Sequence, residues 1–393
     1  MKILFVGPGN SVHLARWIVQ CQSQGIEVLL YTTSDFSQVT EIKNLILTNL
    51  PRKSMRRNTS FIDSLLAIAV GSKLSKILEI PKHFIEIRRA VKKHKVDIVH
   101  VHWLFHSAAF AASLIPGIKL VSTPWGSDVQ WNLKGSLMSK RQEIIRRIMV
   151  GKVVRRSIYF SCDALHLQNR LIALGAKPGT IEIIFFGVDI ELFSKANYSE
   201  TYRKSIGVKP GEMMVLSNRG LEPVYDVETF IKAASIAIEA NTSLRFFIAS
   251  SGSQREQLEI LVDQLELSDK VKFLGRLSNE EFPIVTGSAD IYVSTSTSDG
   301  GLAASVAEAM SSSVAVINTN FGENGLWLRN ESAGLIFPIG DHENLAKCIL
   351  RIAGDHQMRI LMGEVGRSII SESNNSVLES KKILDLYRTA VKT

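Results

Sequence analysis

Apolar residues fall into short continuous runs separated by longer amphipathic segments. The first run, residues 2–7, has strand length and leads through a Gly-Pro-Gly turn into a helical pattern over residues 12–25. A second apolar run, residues 26–33, follows directly. This succession predicts a βαβ unit at the start of a parallel sheet.

The same alternation continues through the first half of the chain and then starts again. After a polar, irregular patch at residues 189–209, a second series of apolar runs appears. We therefore expect an α/β fold with two Rossmann-like domains, residues 1–190 and 191–375, and a final helix over 376–393. The strands expected after the first βαβ unit are DIVHVHW, IKLVSTPWG, ALHLQ and IEIIFFGVD in the first domain, and MMVLSNRG, LRFFIASSG, KVKFLGRL, DIYVSTST, VAVINT and AGLIFP in the second.

The longest uncharged segment, residues 98–118, has the length of a membrane span. It contains three histidines and Pro116, which are unfavourable in lipid. A buried strand followed by a helix over residues 106–114 explains the segment better.

Composition indicates the cellular compartment of the protein and shows that charge is distributed unevenly along the chain. Cys21, Cys162 and Cys348 are odd in number and far apart, which argues against a disulfide framework and favours a cytoplasmic protein. Residues 1–190 carry 26 Lys and Arg against 12 Asp and Glu, whereas the rest of the chain is net acidic. The first half is therefore expected to meet an anionic partner, for which nucleic acid, anionic lipid and a phosphorylated substrate all qualify.

A glycine pair and one carboxylate stand out between two predicted strands, in residues 294–320. Asp299, Gly300 and Gly301 follow a strand and precede a helix, where unpaired N–H groups favour phosphate. Helical spacing places Glu308 on the side opposite the apolar residues, where its carboxylate could accept hydrogen bonds from a ribose. An ordinary capped helix with an exposed glutamate is the alternative.

Nearly the whole chain resembles retaining glycosyltransferases of family four, which have the GT-B fold of two facing Rossmann domains. The resemblance is carried by GLAASVAEAMSSSVAVINT, SADIYVSTS, VKFLGRLSNEE, GLIFPIGDHENLA, FFGVDIELF and TPWGSD. It implies a nucleotide-sugar donor held by the second domain, an acceptor held by the first, and chemistry in the cleft without a metal. It also implies that the last helix packs on the first domain.

The resemblance also implies donor-binding residues. Glu308 matches the glutamate that holds the ribose, and Arg219 matches the arginine that neutralises the phosphates. Glu308 is the second glutamate of the family motif, and the position of the first is Gly300 here, so the preceding Asp299 could contact the donor sugar instead. A lysine usually found after the arginine is replaced by Val224 and Tyr225, of which Tyr225 could offer a hydroxyl. The remaining expected contacts are made by the loop residue Gly9, by Leu274, Gly275 and Arg276 near the base, and by Gly301, Leu302 and Ala303 at the diphosphate.

The catalytic group is less well defined. Where many relatives have a histidine, this chain has Trp125, Gly126 and Asp128. Asp128 could orient a hydroxyl, and His102, at the end of a strand, is a second candidate, although a strand-end histidine can be purely structural. Front-face displacement, in which the leaving phosphate accepts the proton of the acceptor, needs charge stabilisation more than a strong base.

Two basic clusters, residues 51–57 and 140–156, suggest where the anionic partner binds. The second predicts a basic amphipathic helix, typical of anionic membrane surfaces, although an ordinary solvated helix fits too. No aromatic-studded basic platform indicates nucleic acid. We expect a metal-independent transferase for surface polysaccharide or lipopolysaccharide, peripheral on the inner membrane face and acting on a glycan or lipid-linked acceptor. A weakly catalytic sugar-nucleotide-binding scaffold and a non-hydrolysing epimerase are the alternatives.

Overall fold

The computed structural model describes residues 1–35, 37, 39–40, 42–48, 78–129, 140–299, 301–329 and 331–393. It divides the chain into two compact units, the first made of Met1–Phe186 with Glu379–Thr393 and the second of Gly187–Leu378. Each unit contains one parallel sheet with helices between its strands. The expected fold class, two Rossmann-like α/β domains, is confirmed.

The division falls four residues before the expected boundary at residue 190. The backbone explains the difference, because Gly187 donates to the Asn374 side chain at 3.1 Å and Val188 donates to the Asn374 carbonyl at 2.8 Å. Val188 also forms a bridge with Asn375. These bonds join residues 187–188 to the end of the second unit.

The first unit has seven parallel strands in the order β3-β2-β1-β4-β5-β6-β7. The strands are β1 (Lys2–Gly7), β2 (Glu27–Thr32), β3 (Ile46–Leu47), β4 (Ile98–His102), β5 (Leu120–Thr123), β6 (Tyr159–Cys162) and β7 (Ile181–Ile183). The helices are α1 (Val12–Ser23), α2 (Ile80–His94), α3 (Ser107–Ser113), α4 (Lys140–Arg156), α5 (Leu165–Ala173) and the last helix of the chain, α14 (Ser376–Lys392).

Successive residues of a strand point to opposite sides of the sheet, and different helices cover the two sides. Leu4 and Val6 of β1 belong to a core shared with α2, α3, α4 and α5. Ile3 and Phe5 belong to a second core shared with α1 and α14. The last helix of the chain therefore packs on the first unit.

One expected strand is wrong. Residues 164–168, ALHLQ, alternate like a strand, but Leu165–Ala173 form the helix α5, and the strand in this region is Tyr159–Cys162. Leu167 and Leu171 are both fully buried. Their spacing of four residues is the helical signal that outweighs the short alternation.

The second unit has six parallel strands in the order β10-β9-β8-β11-β12-β13. The strands are β8 (Met213–Ser217), β9 (Leu244–Ile248), β10 (Val271–Phe273), β11 (Ile291–Ser294), β12 (Ala315–Thr319) and β13 (Gly334–Phe337). The helices are α6 (Glu200–Ile206), α7 (Val227–Ala240), α8 (Arg255–Gln264), α9 (Glu281–Gly287), α10 (Ala304–Ser311), α11 (Asn324–Trp327), α12 (His342–Gly354) and α13 (His356–Ser373). Short 3-10 turns occupy Pro178–Thr180, Lys195–Asn197 and Pro223–Tyr225.

The long uncharged segment forms the buried strand β4 and the short helix α3, as expected. Within the described ranges, we find no helix that combines the length and the apolar character needed to cross a bilayer. All three cysteines are free thiols, two of them buried.

Candidate functional site

Several of the expected donor-binding residues lie beyond the carboxyl ends of strands in the second unit. Arg219 follows β8, Leu274 follows β10, and Asp299 follows β11 and precedes α10. Because all these strands are parallel, their carboxyl ends lie at one edge of the sheet. This is the edge at which doubly wound sheets bind ligands.

The guanidinium of Arg219 contacts three other residues at this edge. It donates to the Ser305 hydroxyl at 2.9 Å and to the Asp299 carboxylate at 2.5 Å. The centre of the Tyr225 ring lies 4.6 Å from the guanidinium carbon, so the aromatic face of Tyr225 contacts the arginine. Burial lowers the pKa of Arg219, but the charge and hydrogen bond of Asp299, together with Tyr292 and Tyr225, outweigh it and the pKa is raised. The arginine is therefore a permanent cation.

Tyr292, which the sequence analysis did not single out, is a fully buried neighbour of this cluster. Its hydroxyl donates to the Asn218 side chain at 2.6 Å. Burial raises the pKa of Tyr292, the positive charge of Arg219 opposes this rise, and the charges of Glu308 and Asp299 add to it. Glu308 thus lies within electrostatic reach of the same cluster. A tyrosine inside an otherwise apolar strand was the available signal, because a buried hydroxyl needs a partner.

The helix α10 is more buried than its sequence suggests. Leu302, Val306, Ala309 and Met310 are buried as expected. Glu308 is also buried, however, with 2% of its surface exposed, so the alternative of an exposed glutamate is wrong. The helix α13 packs on the other side of α10, where a Cβ on Gly366 would come within 3.4 Å of Met310, so both sides of α10 are covered. A buried carboxylate needs a compensating partner.

The remaining donor-binding predictions concern backbone groups. Gly275 has a φ of +75°, which favours glycine, and it follows Leu274, whose N–H already donates to Ile248. The neighbouring Arg276 is exposed. Gly301 and Leu302 are buried before the start of α10, and no side chain caps the helix at Ala303. Gly300 lies outside the described residues.

The strand ends of the first unit carry the other predicted residues. The N–H of Gly9 donates to the Thr32 hydroxyl at 3.0 Å. His102 does not face open space, because it is fully buried against Phe5, Trp17 and Trp125. Burial lowers its pKa to about 3, with a further contribution from His13, so the ring is neutral. This placement fits the structural alternative for His102.

Asp128 is also buried, with a specific set of partners. One carboxylate oxygen accepts from the Leu104 N–H at 2.6 Å and the other accepts from the Trp125 N–H at 2.9 Å. Burial raises the pKa of Asp128 to about 6, against the opposing effect of these bonds. The carboxylate therefore fixes the two loops that follow β4 and β5.

Comparison with known proteins agrees with this geometry. Residues 199–368 match the family described as glycosyl transferases group 1, and residues 2–157 match the family described as glycosyl transferase 4-like. Among curated relatives, a UDP-Gal:alpha-D-GlcNAc-diphosphoundecaprenol alpha-1,3-galactosyltransferase of Escherichia coli is 26% identical over 78% of this chain and 79% of its own.

Two solved structures share the fold over nearly the whole chain. A glycosyltransferase from Rickettsia africae has a TM-score of 0.78 and 17% identity, covering 100% of this chain and 99% of its own. HepE from Anabaena in complex with UDP has a TM-score of 0.76 and 17% identity, covering 99% of this chain and 100% of its own.

The two parallel-sheet units have the fold of the GT-B glycosyltransferases, and the family matches define the class of protein as a glycosyltransferase that uses a nucleotide sugar. More narrowly, the chain belongs to the group 1 glycosyltransferases of the GT-B fold, of the family four type.

Proposed function

We propose that the protein is a retaining glycosyltransferase that moves a sugar from a nucleotide-sugar donor to a glycan or lipid-linked acceptor. The process it serves is the synthesis of bacterial surface polysaccharide or lipopolysaccharide. The observation that carries the proposal is the cluster of Arg219, Ser305, Tyr292 and Glu308 at one sheet edge. The relative in Escherichia coli, whose acceptor is a diphosphoundecaprenol-linked GlcNAc, supports a lipid-linked acceptor.

The cluster suits a nucleoside diphosphate. The permanent cation of Arg219 and the uncapped start of α10 both favour phosphate oxygens. Glu308, within reach of the same cluster, accepts hydrogen bonds from the ribose hydroxyls. Positive charge at the leaving diphosphate stabilises its departure without a metal, and the departing phosphate takes the proton of the acceptor hydroxyl on the same face of the sugar.

Donor turnover by the purified protein tests this function. A thermal-shift screen with UDP-, GDP-, ADP- and CMP-sugars identifies the donor, because a ligand that binds only the folded state raises the melting temperature. Glu308→Gln should then lower the affinity for that donor by about tenfold or more, since hydrogen bonds to a charged group are worth about 1.5–3 kcal/mol. Glu364→Gln, on the exposed side of α13, is the matched control. Donor binding without turnover would favour the scaffold, and sugar inversion without an acceptor would favour the epimerase.

We also propose that the first unit docks on an anionic membrane through α4. Ile144 and Ile148 of this helix are 58% and 61% exposed and lie one turn apart. The exposed cations Arg141 and Arg147 are adjacent to them. Exposed isoleucines beside cations match the interface of a membrane with anionic headgroups. The other basic cluster, residues 51–57, lies outside the described residues.

The helix α2 extends the same surface. It shares a core with α3 and α4, so it covers the same face of the first sheet. Its residue Ile85 is 55% exposed, and Arg88, Arg89 and Lys92 are exposed as well. Two basic helices with exposed isoleucines on one face make a broader surface than α4 alone.

Vesicle sedimentation tests the membrane proposal. The double variant Ile144→Ser, Ile148→Ser should lower partitioning onto phosphatidylglycerol vesicles by at least about tenfold, since burying each isoleucine is worth about 1.5–3 kcal/mol. The matched control is Ile236→Ser, Ile260→Ser, which changes two exposed isoleucines of the second unit. Equal binding of the wild type to neutral and anionic vesicles would contradict the proposal.

A further inference from the structure

The ion pair between Arg219 and Asp299 has a consequence for the affinity of the diphosphate site. The pair is short, with nitrogen and oxygen 2.5 Å apart, and both side chains are only 11% exposed. Arg219 is also held by Ser305 and lies on the ring of Tyr225. The cation expected to bind phosphate is therefore already engaged by a carboxylate of the same chain.

Asp299 is less firmly held than a purely structural carboxylate. Its second oxygen, Oδ2, is buried and has no hydrogen-bond partner among the described residues. The ion pair between Glu212 and Arg245 has the same 2.5 Å separation, but there the second oxygen of Glu212 accepts from the Lys209 N–H at 2.9 Å. A buried carboxylate oxygen without a partner is costly. Asp299 is thus poised to exchange its partner.

The local charge balance makes this exchange matter for the ligand. Val224 and Tyr225 stand in the short turn beside Arg219, and neither supplies a cation. The positive charge of Arg219 is therefore balanced by the negative charge of Asp299. A diphosphate that approaches this pair meets a carboxylate as well as the guanidinium, and like charges repel at this range.

We propose that Asp299 competes with the diphosphate for Arg219 and thereby limits the affinity of the site for nucleoside diphosphates. This inference rests on the proposed function, since it concerns the same donor site. When the diphosphate binds, Arg219 exchanges the carboxylate for phosphate oxygens, and Asp299 is freed to accept hydrogen bonds from sugar hydroxyls. When the sugar has been transferred, the return of Asp299 to Arg219 favours release of the nucleoside diphosphate.

Titration calorimetry with inorganic pyrophosphate, UDP and GDP tests the competition. Asp299→Asn keeps the shape of the side chain and removes its charge, which leaves Arg219 as a buried cation without a counter-charge. We expect this variant to bind pyrophosphate and the preferred nucleoside diphosphate about tenfold more tightly than the wild type, which corresponds to about 1.4 kcal/mol. Asp299→Ser should act in the same direction and serves if the asparagine variant folds poorly.

Two further variants separate competition from other effects. Glu212→Gln removes the same charge from an ion pair of equal length. Glu212 directly precedes β8, so this pair lies at the amino ends of the strands, away from the donor site, and the variant should leave the affinity unchanged. In an Arg219→Gln background, Asp299→Asn should tighten binding less than it does in the wild type, because the competition for Arg219 is gone and only the direct charge repulsion remains. Equal or weaker pyrophosphate binding by both Asp299 variants would overturn the proposal. Because pyrophosphate carries no sugar, this result is independent of whether any nucleotide-sugar is turned over.

Discussion

A hydroxyl group on the last helix should contribute strongly to the stability of the first unit. Tyr387 of α14 is fully buried, and its hydroxyl accepts from the Trp17 indole N–H at 2.9 Å. The same hydroxyl bonds to Nδ1 of His100 at 2.6 Å, and Nε2 of His100 bonds to the Thr123 hydroxyl at 2.7 Å. The chain of bonds therefore joins α14 to α1, β4 and β5.

Tyr387→Phe deletes this hydroxyl and leaves the packing of the ring intact. The Trp17 N–H and the His100 Nδ1 are then both buried without a partner. Each unsatisfied group costs about 1–3 kcal/mol, so the variant should lose about 2–6 kcal/mol of unfolding free energy. Burial holds the pKa of His100 well below its usual value, so the imidazole cannot recover this loss by becoming charged at neutral pH.

Denaturant unfolding monitored by tryptophan fluorescence measures this loss, since Trp17 is one of the affected groups. The matched control is Tyr198→Phe, which deletes a hydroxyl bonded to Glu200 at 2.7 Å on a side chain that is 50% exposed. It should change the unfolding free energy by less than about 0.5 kcal/mol. If Tyr387→Phe is no more destabilising than Tyr198→Phe, the buried network does not hold the last helix.

Two other predictions concern stability. The pKa of His102 is lowered to about 3 in the folded state, so its contribution to stability is complete above the unfolded value of 6.5 and is lost as the pH falls below that value. Between pH 6.5 and pH 5, the wild type should therefore lose about 1.4 kcal/mol of unfolding free energy per pH unit through His102, and His102→Phe should remove this loss. Parallel curves of urea midpoint against pH for the two proteins would contradict this prediction. A Cβ on Gly363 would lie 2.1 Å from the Ser313 carbonyl oxygen, so Gly363→Ala should cost about 1–3 kcal/mol, whereas Gly354→Ala, with open space around it, should be neutral or stabilising in thermal melts.

Most of the fold could be predicted because buried parallel strands are written as continuous apolar runs. β1, β4 and β12 appear in the sequence as Lys2–Gly7, Ile98–His102 and Ala315–Thr319, within about two residues of the expected bounds. The segment at residues 164–168 failed because five residues are too few to distinguish a period of two from a helical turn. The division lies at residue 186 and not at 190 because Gly187 and Val188 donate hydrogen bonds to Asn374, far away in the sequence.

The candidate site could be predicted only as far as spacing along one helix or one loop determines it. Arg219, Asp299 and Glu308 were identified, but the pairing of Arg219 with Asp299 joins residues that are 80 positions apart. The burial of Glu308, which has 2% of its surface exposed, is likewise not determined by spacing within α10. Helical periodicity places a residue on a face, but it does not say whether a second layer of structure covers that face.

The positive charge of the first unit is placed differently from what its total suggests. At the strand ends of that unit, His102 is neutral and Asp128 is held by backbone N–H groups, so neither offers a cation to phosphate. Exposed lysines and arginines lie instead on α2 and α4, on one face of the sheet, and on α14, on the other face. In the net acidic second half, by contrast, Arg219 places a cation at a strand end, where it is paired with Asp299. The two proposed anionic ligands, diphosphate and membrane, therefore use different units. Added salt should weaken vesicle binding through the exposed charges more strongly than diphosphate binding through the buried Arg219.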